Sequence, residues 1–341
     1  MNNLMKWQVR TDLAYDEVLS QNNEIEGVQT SNFIVDDLNV IKHYVLDSSN
    51  INKQAGTYYT IDLKDVDFHD SKICENVEKC LSKVINELLI EKGLKNKKCL
   101  LVGLGNINVT PDSLGPYVMD NVIVTKHLFD MNNISEGFSN VAAMSPGVMG
   151  TTGLETFEVI KSVIENISFD FLIVVDALAT NSIERVNKTI QITDTGISPG
   201  SGVGNKRKEL SEKTVGIPVI AVGVPTIVDA VTISSCVIDY VLKYLNQVSS
   251  SNKPSDKLVV HHQIDLDIPT NRVVDEELFG QFGKLTEEEK RSLIQDILTP
   301  SGYNLMVTPK EIDADVEDLS KIIAGGLNIA LHDGILKTMS E

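Results

Sequence analysis

Three short apolar runs constrain the fold of this 341-residue chain more than any other feature. They lie at 99–103, 171–175 and 219–225 and read CLLVG, FLIVV and VIAVGVP. Runs of this length without polar alternation are typical of strands that are buried on both faces. Longer stretches with helical periodicity alternate with them. This order predicts an α/β fold with a mainly parallel, twisted sheet that helices cover on both sides. The predicted helices are 70–93, one that begins at Pro111, 154–167, 226–245, 286–298 and 316–331.

Further strands are predicted on either side of this core. The segments GVQTSNFIVD (27–36) and TYYTIDL (57–63) are rich in β-branched and aromatic residues, as is KTIQIT at 188–193. We interpret the first two as a small additional antiparallel sheet. The second apolar run is followed directly by Asp176, and we expect that strand to stop there.

The charge balance excludes some classes of partner. The chain carries 48 acidic and 30 basic residues, a net charge of −18. Such a charge repels nucleic acids and anionic membranes. No apolar run approaches the ~20 residues that span a bilayer, and the N-terminus lacks the apolar stretch of a secretory signal. We therefore predict a cytoplasmic protein without a nucleic-acid or membrane partner.

The metal-ligating residue types show no ligand pattern. None of the four cysteines forms a C-x-x-C pair, and no histidine stands at metal-ligand spacing from them. His261 and His262 are adjacent rather than one helical turn apart. The sequence therefore predicts neither a metal nor a cofactor.

The loop after the first apolar run resembles a nucleotide-binding loop only in part. Gly103 and Gly105 are present, but Asn108 stands where the dinucleotide fingerprint requires a third glycine. The later segment GSGVGNKRKE also lacks the spacing of a phosphate-binding loop. Nucleotide binding through this loop remains an alternative.

Two acidic residues follow buried strands and are the first candidates for catalysis. Asp112 lies in the segment after the run at 99–103, and Asp176 follows the run at 171–175. The carboxyl ends of parallel strands share one edge of a sheet, where α/β proteins form their sites. Two carboxyl groups in such a crevice share a proton, so one can accept a proton while the other donates one. The alternative is structural: Asp112 as an acid in a first helical turn, Asp176 as a hydrogen-bond acceptor in a loop.

The triplet Asp194-Thr195-Gly196 has the sequence of the active-site triplet of pepsin-like proteases. Those enzymes need two copies on an all-β fold, and the α/β pattern contradicts that fold. We therefore predict a structural role for Asp194 in a turn.

Several long segments together resemble the germination proteases of endospore-forming bacteria. They are VRTDLA, GLGNINVTPDSLGP, SPGVMGTTGLET, VVDALA, ERVNKTIQITDTGISPGSGVGNKRKEL and GIPVIAVGVPTIVDAVTI. The resemblance implies an atypical aspartic endopeptidase that degrades small acid-soluble spore proteins during germination. It also implies a homotetramer in the spore core, and an α/β fold similar to that of the endopeptidases that mature hydrogenases. By this resemblance Asp112, in TPD, and Asp176, in VDALA, are the catalytic pair.

The resemblance also implies an inactive precursor that removes its own N-terminal segment. Its substrates are cut after an acidic residue in motifs similar to Thr-Glu-Phe-Ala-Ser-Glu, and TDLAYD at 11–16 follows that pattern. We expect cleavage between Asp12 and Leu13. This divides the chain into a propeptide, 1–12, and a single α/β peptidase domain, 13–341, with a variable region at 246–300.

The basic run Lys206, Arg207 and Lys208 stands out in an acidic chain. One or more of these residues could receive the acidic substrate side chain by charge-assisted hydrogen bonds, or the run could be a solvated helix start. The glycine-rich turn at 145–153 is expected to line the crevice.

A hydrogenase-maturation type of peptidase, whose acids hold nickel in a client protein, remains the other alternative.

Overall fold

The computed structural model describes residues 27–47, 53–200, 207–250, 280–298 and 305–338. Internal contacts divide the described residues into two compact units: those up to 227 together with those from 308 onwards, and those between 228 and 307. The described residues of the region predicted to be variable, 246–250 and 280–298, belong to the second unit. Asp12, Leu13 and Lys206 lie outside the described residues, so the division of the chain at residue 12 stays a prediction.

The described strands form a single sheet. They are β1 (Val28–Val35), β2 (Leu38–Val45), β3 (Gly56–Asp62), β4 (Cys99–Gly103), β5 (Val141–Met144), β6 (Phe171–Thr180), β7 (Thr189–Thr193), β8 (Val219–Asp229) and β9 (Met306–Val307). Their order in the sheet is β1-β2-β3-β7-β8-β6-β4-β5, and β9 pairs with β8. β4 is parallel to both β5 and β6, whereas β1, β2, β3, β7 and β8 follow one another as antiparallel neighbours.

Helices connect most of these strands, which confirms the α/β class. The longest predicted helix, 70–93, is observed as Ser71–Glu91 with the Asp70 carboxylate capping the N–H groups of Lys72 and Ile73. Gly93 follows it with a positive φ of 67°. The helices are α1 (Ser71–Glu91), α2 (Leu114–Asn121), α3 (Lys126–Asp130), α4 (Met149–Thr152), α5 (Thr156–Asn166), α6 (Glu212–Val215), α7 (Ala230–Ser250), α8 (Glu287–Leu298), α9 (Ile312–Leu331) and α10 (Asp333–Thr338).

The core of the larger unit has two layers, one on each face of the sheet. Alternate residues of β4 and β6 point to opposite faces, as the period of a strand requires. On one face the strands pack against α1, α2 and α9. On the other, α5 covers the strands. Both faces of the parallel strands are therefore buried, as the apolar runs predict.

The smaller unit contains α7, α8 and β9. α7 packs against α8. The last residues of β8 pair with β9, Val228 with Val307 and Asp229 with Met306. No helix in the described part of the chain has the length and apolarity that a membrane span requires.

Two strands extend further than the sequence indicates. The strand predicted to stop at Asp176 continues to Thr180, because a buried carboxyl side chain does not interrupt the hydrogen bonds of the backbone. β8 likewise continues to Asp229, so the helix predicted from Thr226 begins at Ala230. Thr226, Ile227 and Val228 are β-branched and favour the extended backbone.

Two other elements are arranged differently from the expectation. The helix predicted from Pro111 is a 3-10 turn, Thr110–Asp112, and α2 begins only at Leu114. The antiparallel strands at 28–62 do form, but they join the main sheet because β3 pairs with β7 from Tyr58–Thr193 to Asp62–Thr189. Sequence periodicity carries no information on such long-range pairing.

A buried histidine connects the C-terminal end of α9 to the rest of the larger unit. The His332 side chain is fully buried, and its Nδ1 accepts the N–H of Ser139 at 3.2 Å. Its Nε2 therefore carries the hydrogen and donates to the carbonyl oxygen of Ile123 at 3.2 Å. Burial is the main cause that lowers the pKa of His332 below its usual value.

Because of this buried histidine, we expect the protein to lose stability in mild acid. Because its pKa is lowered in the folded state, the unfolded chain binds more protons as the pH falls below about 6.5. The free energy of unfolding should then fall by up to about 1.4 kcal/mol per pH unit for this group. Urea titrations between pH 7.5 and pH 5 measure the slope. It should be smaller in His332→Gln and unchanged in His127→Gln, because His127 is exposed. An unchanged slope in His332→Gln would contradict the assignment.

Candidate active site

The paired strands β4 and β6 bring the two predicted acids to the same end of the ladder that joins them. The strands are parallel and in register from Cys99–Phe171 to Gly103–Val175. Beyond this pairing, the N–H of Leu104 donates to the carbonyl oxygen of Val175 at 2.8 Å. Asp176 is the next residue of β6, and the chain that leaves β4 leads to Asp112.

A compact turn carries Asp112 back towards the strands. The N–H of Asn106 donates to the backbone oxygen of Asp112 at 2.9 Å, and the N–H of Asp112 donates to Val109 at 2.8 Å. The hydroxyl of Thr226, on β8, donates to the carbonyl oxygen of Pro111 at 2.7 Å. The turn also contacts β6. Asp112 is thus held against β6, the strand that carries Asp176.

The two glycines of the loop are explained by this folding back. Gly105 has a φ of +110°, and a Cβ there would lie 1.9 Å from the backbone oxygen of Asp112. A Cβ at Gly103 would lie 2.2 Å from the backbone oxygen of Gly115. No side chain fits at either position. The close approach of the backbone therefore accounts for both glycines without a nucleotide.

The environment of Asp112 favours its protonated form. Burial raises the pKa of its carboxyl above the ordinary value. A backbone hydrogen bond from Asn106 and the positive charge of Arg207 act in the opposite direction and lower it. Desolvation is the largest of these effects, so the acid holds its proton at a higher pH than an exposed aspartate.

Asp176 is more deeply buried than Asp112. Only 6% of the residue is exposed, and its Oδ1 accepts the N–H of Ala177 at 3.0 Å. By strand alternation its side chain lies on the same face as Leu172 and Val174, the face that α5 covers.

The two described residues of the basic run, Arg207 and Lys208, have different surroundings. Arg207 is close enough to Asp112 for its charge to affect that carboxyl. Lys208 points elsewhere: its Nζ lies 3.6 Å from Glu158 and 5.3 Å from the ring centre of Phe157, both on α5. Of the two described residues of the run, Arg207 is therefore the one near Asp112.

Asp194 has the structural surroundings that its turn sequence predicts. Its Oδ1 accepts the N–H of Thr57 at 2.8 Å, and its Oδ2 lies 2.9 Å from Nζ of Lys92. The carboxylate of the pepsin-like triplet therefore joins its turn to β3 and to Lys92, which is a structural role.

Sequence reasoning did not identify Thr226 as a residue of this region. Its hydroxyl donates to the carbonyl oxygen of Pro111, in the turn that carries Asp112, although Thr226 and Pro111 are 115 positions apart in the chain. A single threonine in an apolar strand carries no local signal for that contact.

Comparison with known proteins identifies the family. The family model described as germination protease matches residues 8–340. A germination protease of Bacillus mycoides is 47% identical, over 97% of this chain and 96% of its own. One of Halalkalibacterium halodurans is 46% identical, over 98% of this chain and 96% of its own.

The chain belongs to the germination protease family. It is thus a peptidase with a role in germination, as the sequence motifs predict. Among solved structures, a [NiFe] hydrogenase maturation protease from Thermococcus kodakarensis matches 38% of this chain and 74% of its own, at 17% identity and a TM-score of 0.26. Within the described residues, no three His, Cys, Asp or Glu side chains are grouped as metal ligands.

Proposed function

We propose that the chain is an endopeptidase of the aspartic type, in which Asp112 and Asp176 activate a water molecule. The observation that carries this proposal is their position: Asp112 lies in the turn that follows β4, and Asp176 directly follows the last residue of β6 that pairs with β4. The raised pKa of Asp112 supports it, because a pair of acids must keep one proton between them near neutral pH.

The hydrolysis then needs no third group. The ionised carboxylate takes a proton from water as the water oxygen attacks the peptide carbonyl carbon. The protonated acid gives its hydrogen to the carbonyl oxygen, which leaves a tetrahedral intermediate with two hydroxyl groups. As the C–N bond breaks, the acid that took the proton from water gives it to the leaving amine, and the other carboxylate takes the proton of one hydroxyl. The pair thus returns to its starting state, and the carboxyl and amine products carry the atoms of the water.

The proposed substrates are the small acid-soluble spore proteins, cut after an acidic residue in motifs similar to Thr-Glu-Phe-Ala-Ser-Glu. The same specificity applied to TDLAYD gives self-processing between Asp12 and Leu13. We further propose a homotetramer located in the spore core, with the uncut segment 1–12 as the inhibitory part of the precursor.

A peptide assay tests the proposed activity. The protein beginning at Leu13 is incubated with a peptide that contains the T-E-F-A-S-E sequence, and the products are identified by mass spectrometry. We expect a single cut after the first glutamate. A matched peptide with glutamine at that position should be cut much more slowly, and equal cutting of the two would contradict the specificity.

Arg207 is the proposed recognition residue for the acid before the scissile bond. Replacing it in Arg207→Gln removes a charge-assisted hydrogen bond, and we expect KM for the acidic peptide to rise roughly tenfold or more. The acidic and glutamine peptides should then be cut at similar rates. Lys161→Gln serves as the control, because Lys161 is a lysine of α5 that contacts Phe157. An equal loss in Lys208→Gln alone would transfer the role to Lys208.

A further inference from the structure

Ile197 and Leu210 are paired at the base of the connection that leads to Arg207, which we name the Arg207 loop. The N–H of Ile197 donates to the oxygen of Leu210 at 2.9 Å, and the N–H of Leu210 donates to the oxygen of Ile197 at 2.8 Å. Gly196, just before it, has a φ of +89°, and a Cβ there would lie 2.1 Å from the oxygen of Leu210. The two ends of the loop are therefore fixed to each other.

An ion pair ties the incoming end of the loop to the end of α1. The Asp194 side chain is only 8% exposed, and both of its oxygens are engaged, one by the N–H of Thr57 on β3 and the other by Lys92. Lys92 is the C-cap residue of α1, and the next residue, Gly93, has a positive φ of 67°. The position of Lys92 is thus set by the end of a long helix whose apolar face packs in the core.

The outgoing end is held by a second set of contacts to the chain before β3. Nε2 of Gln54 donates to Oε1 of Glu209 at 2.6 Å, and the hydroxyl of Tyr58 donates to the backbone oxygen of Gln54 at 2.8 Å. The hydroxyl of Thr195 completes the set with a bond of 3.1 Å to the hydroxyl of Tyr58. Both ends of the loop are therefore linked to the same short region of the chain.

We propose that Lys92 and Asp194 are positioning residues, which fix the base of the Arg207 loop so that Arg207 reaches Asp112 and the acidic side chain of a substrate. This inference rests on the proposed role of Arg207. Without Lys92, the Asp194 carboxylate is nearly buried with no opposite charge, and water can satisfy it only if the base opens. Arg207 lies three residues before Leu210, so an open base displaces it.

The alternative is that the ion pair only stabilises the fold. Two variants of α1 separate these roles. Lys92→Met removes the cation at the loop base. Lys83→Met removes a cation of the same helix that pairs with Asp36 at 2.7 Å, far along the chain from the loop and 61% exposed. Lys92→Arg restores the charge and serves as the rescue.

The first measurement follows the loop base and needs no catalysis. Hydrogen–deuterium exchange of the full-length chain reports on the N–H groups of Ile197 and Leu210, whose bonds close the base. We expect exchange there to be on the order of tenfold faster in Lys92→Met, and unchanged in Lys83→Met and Lys92→Arg. Asp194→Asn is a second variant with the same expected direction. Unchanged exchange in Lys92→Met would overturn the inference.

The second measurement connects the base to recognition. With the acidic peptide and the self-processed protein, Lys92→Met should raise KM on the order of tenfold with a smaller change in kcat, because Arg207 is misplaced while the acids stay. Lys92→Arg should recover most of the affinity. Faster exchange with an unchanged KM would overturn the positioning role. Failure of the wild-type protein to cut the peptide would instead refute the proposed function, and the exchange result would still decide whether Lys92 fixes the loop.

Discussion

Replacing Asp112 by asparagine should abolish nearly all proteolysis while the protein stays folded. Asparagine has almost the same shape, but it neither gains nor loses a proton, so the acid pair loses its shared hydrogen. General acid–base groups contribute about 10²-fold to 10⁴-fold to rate, and we expect kcat with the T-E-F-A-S-E peptide to fall by that factor. KM should change little, since the carboxyl group acts on the water and the scissile carbonyl.

The same substitution should not destabilise the protein, so a loss of activity in Asp112→Asn would not be due to unfolding. Burial raises the pKa of Asp112, so its charged form disfavours the folded state at neutral pH. Asp112→Asn removes this charge, and the free energy of unfolding at pH 7 should not decrease. Asp120→Asn is the matched control, because Asp120 is an exposed acid of α2. Retained activity in Asp112→Asn would remove this residue from the mechanism.

Asp176→Asn should show a loss of the same order. The two losses should not add in the double variant, because the acids act as one unit and either substitution already removes the shared proton. A double variant far less active than either single variant would indicate that the residues act independently. Equilibrium unfolding of each variant, monitored by circular dichroism, verifies that the loss is chemical.

Replacing Asp12 by alanine should leave the precursor uncut and without activity. The proposed specificity requires an acid before the scissile bond, and Asp12 supplies it in TDLAYD. N-terminal sequencing and intact-mass measurement should find the full-length chain where the wild type begins at Leu13. Activity on the T-E-F-A-S-E peptide should stay at the level of the unprocessed wild type.

Two further variants make this result specific. Glu17→Ala changes an acid just beyond TDLAYD and should be processed at the normal rate. Asp112→Asn should also remain full-length, because self-processing needs the acid pair. Cleavage of Asp12→Ala at the same bond and rate as the wild type would contradict self-processing by this specificity.

Local sequence patterns were sufficient to predict the two buried strands that lead to the acids. The uncharged run at 99–103 and the run at 171–175 predict buried strands because only a sheet covered on both faces buries such residues completely. The helix at 71–91 could also be predicted to within two residues at each end, since its cap, its apolar stripe and its terminal glycine are all local signals.

Element boundaries near the site could not be predicted in the same way. Asp176 was expected to end its strand, but backbone hydrogen bonds continue past it to Thr180. The turn at Thr110–Asp112 replaces a regular helix start, because the hydroxyl of Thr226 on β8 holds the carbonyl oxygen of Pro111. This contact joins residues whose proximity depends on strand order.

By itself the sequence determined the α/β class, the two buried apolar runs that precede Asp112 and Asp176 and, through its long motifs, the family. These follow from hydrophobic periodicity and residue identity, which are local properties of the chain. Only the tertiary structure decided that β4 and β6 are neighbours, that Arg207 rather than Lys208 faces Asp112, and that Lys92 reaches Asp194. Such pairings form between segments that are distant in sequence, so they depend on how the whole sheet assembles, and short-range patterns hold no record of them.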